Sequence, residues 1–186
     1  MKLPSSSVLI EKACSRDASR PVLNSVYLER MESGPIQARL LATDGRIAAI
    51  VPVVVTSDDK AGYIPTDALK ASRKHGGEFT ANGACTMPDG QTFARPDHGK
   101  YPNIEQVIPK GETKFSVSLD PELLYAVAQA IGSERGVTLE FSAEGHALRV
   151  RPCFNPRAES AKGKLIWFSP AHAEAMGLIM PIAKQS

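Results

Sequence analysis

The sequence predicts an α+β fold of short helices and small antiparallel sheets, and the main reason is an internal repeat. The same order of signals starts at Leu3, Ile64 and Leu119, which are 61 (64 − 3) and 55 (119 − 64) positions apart. In each copy an apolar residue precedes a short helical run, and extended segments separated by turn residues follow it. Repeats of this length reveal architecture better than single motifs, although helix-then-hairpin order can also recur by chance in α+β proteins.

Residues with suitable chemistry stand at the ends of the predicted helices. Ser5, Thr66 and Asp120 have side-chain oxygens that can accept hydrogen bonds from the free amides of a first helical turn. Gly76 and Gly132 are predicted to end the second and third helices, because glycine readily adopts the left-handed conformation found there.

The extended segments predict a small antiparallel meander after each helix. Turns are predicted at Asp44-Gly45, Asn82-Gly83 and Glu144-Gly145, where a glycine can take a positive φ. Residues 56–60, "TSDDK", read as an exposed connector, and the closing "GLIMPI" at 177–182 reads as a last strand.

Composition excludes several classes of protein. The chain has 186 residues, 42% of them hydrophobic, which suits one or two domains with a real core. Three scattered cysteines predict reduced thiols rather than a disulfide framework. Since there is no signal-peptide pattern and no apolar run of about 20 residues, we expect a cytoplasmic protein without membrane partners. A net charge of +2 neither requires nor excludes nucleic acid.

The sequence contains no pattern typical of catalysis or of metal binding. His75, His98, His146 and His172 lack ligand spacing with one another and with the cysteines. Gly-rich phosphate loops, nucleophile elbows and paired-carboxylate motifs are missing. We therefore expect no enzyme activity, no metal and no cofactor.

Four segments in a fixed order carry a resemblance to a known family. "RPVLNSVYLE", "LLATDGRIA", "IPTDALK" and "YPNIEQVIP" resemble the middle domain of the bacterial DNA polymerase III β sliding clamp, the processivity factor of the replicative polymerase. Each repeat corresponds to half of a clamp domain, and we call it a half-unit. Residues 1–110 resemble a complete domain of two half-units. Residues 111–186 resemble a half-domain with an inserted segment at 153–170, which contains Trp167 and ends before a clamp-like last strand.

The resemblance implies a function without catalysis. Clamps place helices around duplex DNA and sheets on the outside, join through sheet edges, and tether partner peptides in an apolar cleft. We therefore expect a DNA-associated scaffold for replication or repair partners that binds double-stranded DNA without sequence preference. The alternative is a clamp-derived protein-binding module that does not encircle DNA.

The resemblance also implies where clamp-binding peptides of polymerase or repair proteins would dock. The cleft candidates are Thr43, Gly45, Arg46, Pro109, Leu178 and Met180. The family pattern after Asp-Gly is His-Arg-Leu, whereas this chain has Arg46-Ile47-Ala48, so the large apolar residue is lost or displaced. Leu178, Met180 and Ile182 alternate toward one side of the last strand, and filling of the core remains the alternative for them.

Basic residues on two of the three helices are the candidates for DNA contact. They are Lys12 and Arg16 on the first helix and Lys70, Arg73 and Lys74 on the second. Spacings of three and four residues place side chains on one helical face. An ordinary solvated surface is the alternative. The third helix has no basic residue and begins with Asp120 and Glu122.

The third half-unit lacks a mate within the chain. Its apolar helix residues would then be partly uncovered; they are Leu123, Leu124, Val127, Ala128 and Ile131. One hypothesis is an isologous dimer in which two third half-units complete one domain, and a closed ring of twelve half-units would then take four chains of three half-units each. In the competing arrangement, segment 153–170 folds back over this face.

Overall fold

The computed structural model describes residues 1–5, 8–32, 34, 36–112, 116–133, 136–141, 148–152 and 176–179. The chain divides into two compact units, an N-terminal unit, Met1–Lys110, and a C-terminal unit, Gly111–Ser186. Segment 153–170 with Trp167, the Glu144-Gly145 turn, Cys153, Met180 and Ile182 lie outside the described residues.

The described residues form short helices and three antiparallel sheets, so the predicted α+β class is confirmed. The strands are β1 (Val26–Arg30), β2 (Ala38–Thr43), β3 (Ala48–Val53), β4 (Gly62–Ile64), β5 (Thr80–Asn82), β6 (Ala84–Thr86), β7 (Thr92–Ala94), β8 (Val137–Glu140), β9 (Leu148–Pro152) and β10 (Gly177–Ile179). The α-helices are α1 (Thr66–Ser72) and α2 (Pro121–Ala130), and the 3-10 helices are Ile10–Ala13, Pro21–Leu23, Arg73–His75 and Ile104–Gln106. The sheet orders are β3-β2-β1-β4, β5-β6-β7 and β10-β9-β8.

The two half-units of the N-terminal unit exchange their opening segments. In β4, Ile64 pairs with Val26 of the first half-unit. Leu3, 61 positions earlier (64 − 3), donates its amide to the carbonyl of Gly77 in the second half-unit at 3.1 Å. Each half-unit therefore adds its opening segment to the other one, as a local two-fold arrangement requires.

One hydrophobic core spans both half-units of the N-terminal unit. Leu3, Leu28 and Leu40 from the first half-unit and Ile64 and Leu69 from the second are at most 2% exposed. A smaller cluster contains Tyr27, Tyr63 and Tyr101, with the Tyr27 and Tyr101 rings stacked 5.1 Å apart. Because the main core draws on both halves, neither half can bury its apolar face alone.

The predicted helix starts hold in one case and fail in two. Asp120 is the N-cap of α2, and its carboxylate accepts a hydrogen bond from the amide of Glu122 at 2.8 Å. Helix α1 starts at Thr66 itself, with Pro65 as N-cap, so the capping role predicted for Thr66 is wrong. The first helix is only a 3-10 turn with Leu9 as its N-cap, so Ser5 is not the cap. The three serines and Val8, which precede Ile10, have weak helix propensity.

The predicted helix ends are confirmed. Gly76 and Gly132 have φ angles of 65° and 67°. Beyond each glycine, the next amide donates to the carbonyl five positions back, at 2.9 Å in the second half-unit and 2.8 Å in the third. This is the Schellman arrangement, which satisfies the last helical carbonyls.

The described turns also follow the prediction. Gly45 has a φ of 89° between β2 and β3, and Gly83 lies between the paired residues Asn82 and Ala84. The predicted exposed connector at 56–60 is wrong for Asp59, which is 1% exposed because its carboxylate accepts several internal hydrogen bonds.

The C-terminal unit contains one half-unit with the same order of elements. Helix α2 is followed by β8 and β9, and β10 pairs antiparallel with β9. Val150 and Ile179 are buried in this unit. Gly177 lies against Val127 of α2 so closely that a Cβ at this position would overlap the valine side chain.

Candidate functional site

The two basic segments predicted from the sequence contact each other in the N-terminal unit. Arg73 donates from Nη2 to Oε1 of Glu11 at 2.5 Å and to the carbonyl of Val8 at 3.3 Å. The Arg73 and Glu11 side chains are 20% and 11% exposed. Arg73 therefore joins the two segments and has its charge neutralised inside the protein.

The predicted helical faces do not form as expected. The first helix ends at Ala13, so Lys12 and Arg16 do not share a helical face. Arg73 lies in the 3-10 turn after α1 and is half-buried, whereas Lys70 and Lys74 are exposed. Arg73 is separated from the exposed lysines because its guanidinium group forms an ion pair with the half-buried carboxylate of Glu11.

The remaining basic candidates differ in their partners. Lys70 forms an exposed ion pair with Asp67 at 2.8 Å. Within the described residues, Lys12, Arg16 and Lys74 are exposed and have no carboxylate at salt-bridge distance. Of the five basic candidates, these three are therefore the ones whose charge no described carboxylate neutralises.

The Asp44-Gly45 turn, from which three cleft candidates come, is held by side-chain hydrogen bonds. Thr43 donates its hydroxyl to the carbonyl of Ile47 at 2.6 Å and accepts from the amide of Gly45 at 3.0 Å. The Asp44 carboxylate accepts from the amides of Ile47 and Arg46 at 2.9 and 2.7 Å, and these bonds lower the pKa of Asp44. The Asp44 carboxylate thus serves the turn, and the turn has a defined shape.

This turn presents an apolar side chain that the sequence reasoning did not select. Ile47 is 55% exposed, and Arg46 beside it is also exposed. The sequence did contain a hint of this residue. Where the family pattern after Asp-Gly is His-Arg-Leu, this chain has an isoleucine, Ile47, one position before the place of the leucine.

The other cleft candidates are distributed between the two units. Pro109 is exposed in the N-terminal unit, and Leu178 is 61% exposed on β10 of the C-terminal unit. Ile179, which points to the opposite side of β10, is 3% exposed. The core-filling alternative is therefore wrong for Leu178, while Met180 and Ile182 lie outside the described residues.

A groove in the N-terminal unit does not involve these candidates. It has a volume of about 360 Å³ and is lined by residues that include Met1, Val54, Phe79 and Met87. Of the cleft candidates that the structure describes, none contributes to its lining.

The described residues contain no group of three or more histidine, cysteine, aspartate or glutamate side chains that could hold a metal ion. Among the helices in those same parts of the chain, none has the length and apolar character needed to cross a membrane. His75 lies 3.1 Å from Asp89 at the protein surface.

The repeated half-units and their exchanged opening segments define a DNA-clamp fold. Solved structures of sliding clamps share it. The chain is similar to the DNA polymerase III subunit beta from Borrelia burgdorferi, solved in complex with a natural product, with 20% identity and a TM-score of 0.59 over 76% of this chain and 40% of that one. It is also similar to the DnaN sliding clamp from Bartonella birtlesii, bound to griselimycin, with 17% identity and a TM-score of 0.64 over 99% of this chain and 53% of that one.

The likeness establishes the clamp fold, so the resemblance predicted from the sequence is confirmed for the fold. The chain spans about half or less of the length of the two clamps. No protein-family model matches the chain, and no curated protein matches it.

Proposed function

We propose that the protein is a DNA-associated scaffold of the sliding-clamp type, without enzyme activity, which tethers replication or repair partners in the cytoplasm. The observation that carries the proposal is the clamp fold, shared with the Bartonella clamp over 99% of this chain. In such a fold the work is topological, because a ring that surrounds duplex DNA can slide without dissociating.

Electrostatics support a weak, sequence-independent contact with double-stranded DNA. Lys12, Arg16 and Lys74 are exposed and unpaired within the described residues, and Lys70 has only an exposed partner. So few phosphate contacts give low affinity per chain. A dimer or tetramer that closes a ring would supply the retention that single chains lack.

Retention on DNA of different topology tests the proposal. The full chain is incubated with nicked circular DNA and with the same DNA made linear, and bound protein is measured after gel filtration. A closed ring stays on the circle and slides off the linear form. Equal retention on both forms contradicts encirclement, and absence of binding at low salt contradicts DNA association altogether.

A second candidate function is a protein-binding module that does not encircle DNA. Two observations favour it: Glu11 neutralises Arg73, and α2 carries no basic residue. The same experiment separates the two functions, because this module would show no dependence on DNA topology while it still bound partner peptides.

We also propose that the cleft candidates of the N-terminal unit, Thr43, Gly45, Arg46 and Pro109, bind partner peptides, and that Ile47 contributes an apolar contact. Griselimycin is a practical probe, because the Bartonella clamp is solved with it. We expect calorimetry to detect binding that Ile47→Asp weakens at least about tenfold. The control is Ile36→Asp, which changes a comparably exposed isoleucine that is not a cleft candidate. Equal effects of the two changes, or no binding by the unaltered protein, would contradict the cleft.

A further inference from the structure

We propose that the C-terminal half-unit pairs with the same half-unit of a second copy of this chain about a two-fold axis, completing one clamp-like domain between two molecules. The inference deepens the assembly part of the proposed function and rests on it in that respect, although it requires no DNA. The evidence for this pairing is a comparison of α1 with α2, which occupy equivalent positions in their half-units.

Equivalent helix positions are buried in the N-terminal unit and uncovered in the C-terminal unit. The third, fourth and seventh residues of α1 are Ala68, Leu69 and Ser72, and all are 0% exposed. Helix α2 has no buried residue, and its third residue, Leu123, is 53% exposed. Because the equivalent position in α1, Ala68, is completely buried by the other half-unit, the exposure of Leu123 fits a face that lacks such a neighbour.

The N-terminal unit shows what kind of neighbour covers this face. Ala68 and Leu69 belong to one core cluster with Leu3, Ile10 and Ala13 of the other half-unit. The cover is therefore a half-unit of the same kind, which brings its opening segment and its helical turn. A second copy of this chain offers such a half-unit with an uncovered helix of its own.

The backbone of the C-terminal half-unit also has pairing sites left over. In the N-terminal unit the opening segment Gly62–Ile64 pairs with β1, the first meander strand of the other half-unit. The equivalent segment at 117–119 belongs to no strand, and β8 is an edge strand that pairs only with β9 among the described residues. Free strand edges of this kind favour pairing with another chain.

These two pairing sites complement each other only when two copies meet. A two-fold axis places the opening segment of one copy along β8 of the other, and forms the second ladder at the same time. Such an isologous contact uses one surface twice. Charge does not oppose it, since Glu122 is the sole charged residue of α2 and takes the position that Asp67, with a 71% exposed side chain, has in α1.

The mass of the full chain in solution is the first test. Sedimentation velocity over a concentration series at physiological salt should show a dimer, or a tetramer built from dimers, at micromolar concentration. A chain that remains a monomer throughout the series overturns the inference.

Two matched substitutions on α2 locate the contact. Leu123→Lys puts a charge at the position that the mate covers, and should raise the dissociation constant of the dimer at least about tenfold. Tyr125→Lys is the control, because Tyr125 is 67% exposed and is equivalent to Lys70, which stays exposed in the complete domain. If Leu123→Lys left the dissociation constant of the dimer unchanged, or if both substitutions raised it equally, the interface would lie elsewhere and the inference would be overturned.

If Leu123→Lys impairs folding, amide hydrogen exchange of the unaltered protein provides an independent test of the contact. Amides at 116–119 and along β8 should gain protection as concentration rises and the dimer forms. Dimerisation without any gain there contradicts the proposed ladders. These measurements contain no DNA, so a protein that dimerises as described but shows no retention on circular DNA would refute the proposed function and leave this inference standing.

Discussion

Asp59 is a carboxylate with almost no exposure to solvent, and it organises the junction between the first two half-units. Its Oδ2 lies 2.8 Å from the terminal ammonium of Met1 and accepts from the amide of Thr56, while its Oδ1 accepts from the amide of Ala81 at 2.8 Å. Burial by itself would raise the pKa of Asp59. The hydrogen bonds and the ammonium outweigh that effect and hold the pKa below its usual value.

Replacement of Asp59 should therefore destabilise the protein. Asp59→Asn removes the charge that compensates a buried ammonium, and losing one partner of such a pair costs about 3 kcal/mol in the free energy of unfolding. Urea unfolding at pH 7 followed by circular dichroism measures the change. The control is Asp58→Asn, which alters an exposed neighbour and should have little effect.

The pH dependence of the Asp59 contribution has a definite sign. Because the folded pKa is lower than the unfolded pKa of about 4, the stabilisation is complete above that pH and is lost as the pH falls through the folded pKa. The difference between the wild type and Asp59→Asn should thus shrink as the pH drops below about 4. A difference that stays constant with pH would show that the carboxylate charge is not responsible.

Cys14 and Cys85 are buried thiols that should resist modification. Burial raises the pKa of Cys14 to about 12 and that of Cys85 to about 11. Since the thiolate is the reactive form, we expect slow alkylation of both residues at pH 8 in the folded protein and fast alkylation in urea. Peptide mapping after a pulse of iodoacetamide measures each site. Equal labelling of Cys14 with and without urea would contradict its burial.

At the scale of elements, the packing of α2 against β10 depends on a glycine. Gly177→Ala would force the added methyl group into Val127, and overpacking of this kind costs about 2 kcal/mol. We expect a lower melting temperature and faster amide exchange in β9 and β10. Gly111→Ala is the matched control, because no atom lies within 4 Å of the Cβ it adds. If both variants melted alike, the close approach would be unimportant.

At the scale of the whole molecule, the proposed DNA binding should respond to charge at particular positions. Lys12→Glu combined with Lys74→Glu should weaken binding to double-stranded DNA and flatten its dependence on salt, by a slope of about 0.9 for each phosphate that the protein no longer neutralises. Fluorescence anisotropy with a labelled duplex over a salt series measures both effects.

The control for this experiment is the double variant Lys100→Glu with Lys110→Glu. It changes the net charge by the same amount as Lys12→Glu with Lys74→Glu, but at exposed lysines that are not candidates for DNA contact. Equal weakening by the two double variants would mean that only net charge matters. Unchanged binding by Lys12→Glu with Lys74→Glu would contradict the DNA-facing role of these lysines.

Local chemistry makes part of the candidate sites predictable. The Asp44-Gly45 turn, the cap at Asp120 and the helix ends at Gly76 and Gly132 can be read from the sequence because a few adjacent residues settle them. The burial of Arg73 cannot, because spacing along a helix says which side chains share a face, but not that a distant carboxylate such as Glu11 will bind one of them. The exposed position of Ile47 is likewise a property of the folded chain.

The sequence by itself determined the class of fold, the repeated order of elements and the turns at Asp44-Gly45 and Asn82-Gly83, since periodicity and turn residues act over a few neighbouring positions. Only the tertiary structure decided that the first helix shrinks to one 3-10 turn, that Asp59 is enclosed, and that α2 remains uncovered where α1 is buried. These outcomes depend on which residues from remote parts of the chain supply neighbours. The free energies of burial and of ion pairing depend on contacts with residues that are distant in the sequence, so no local sequence pattern predicts them.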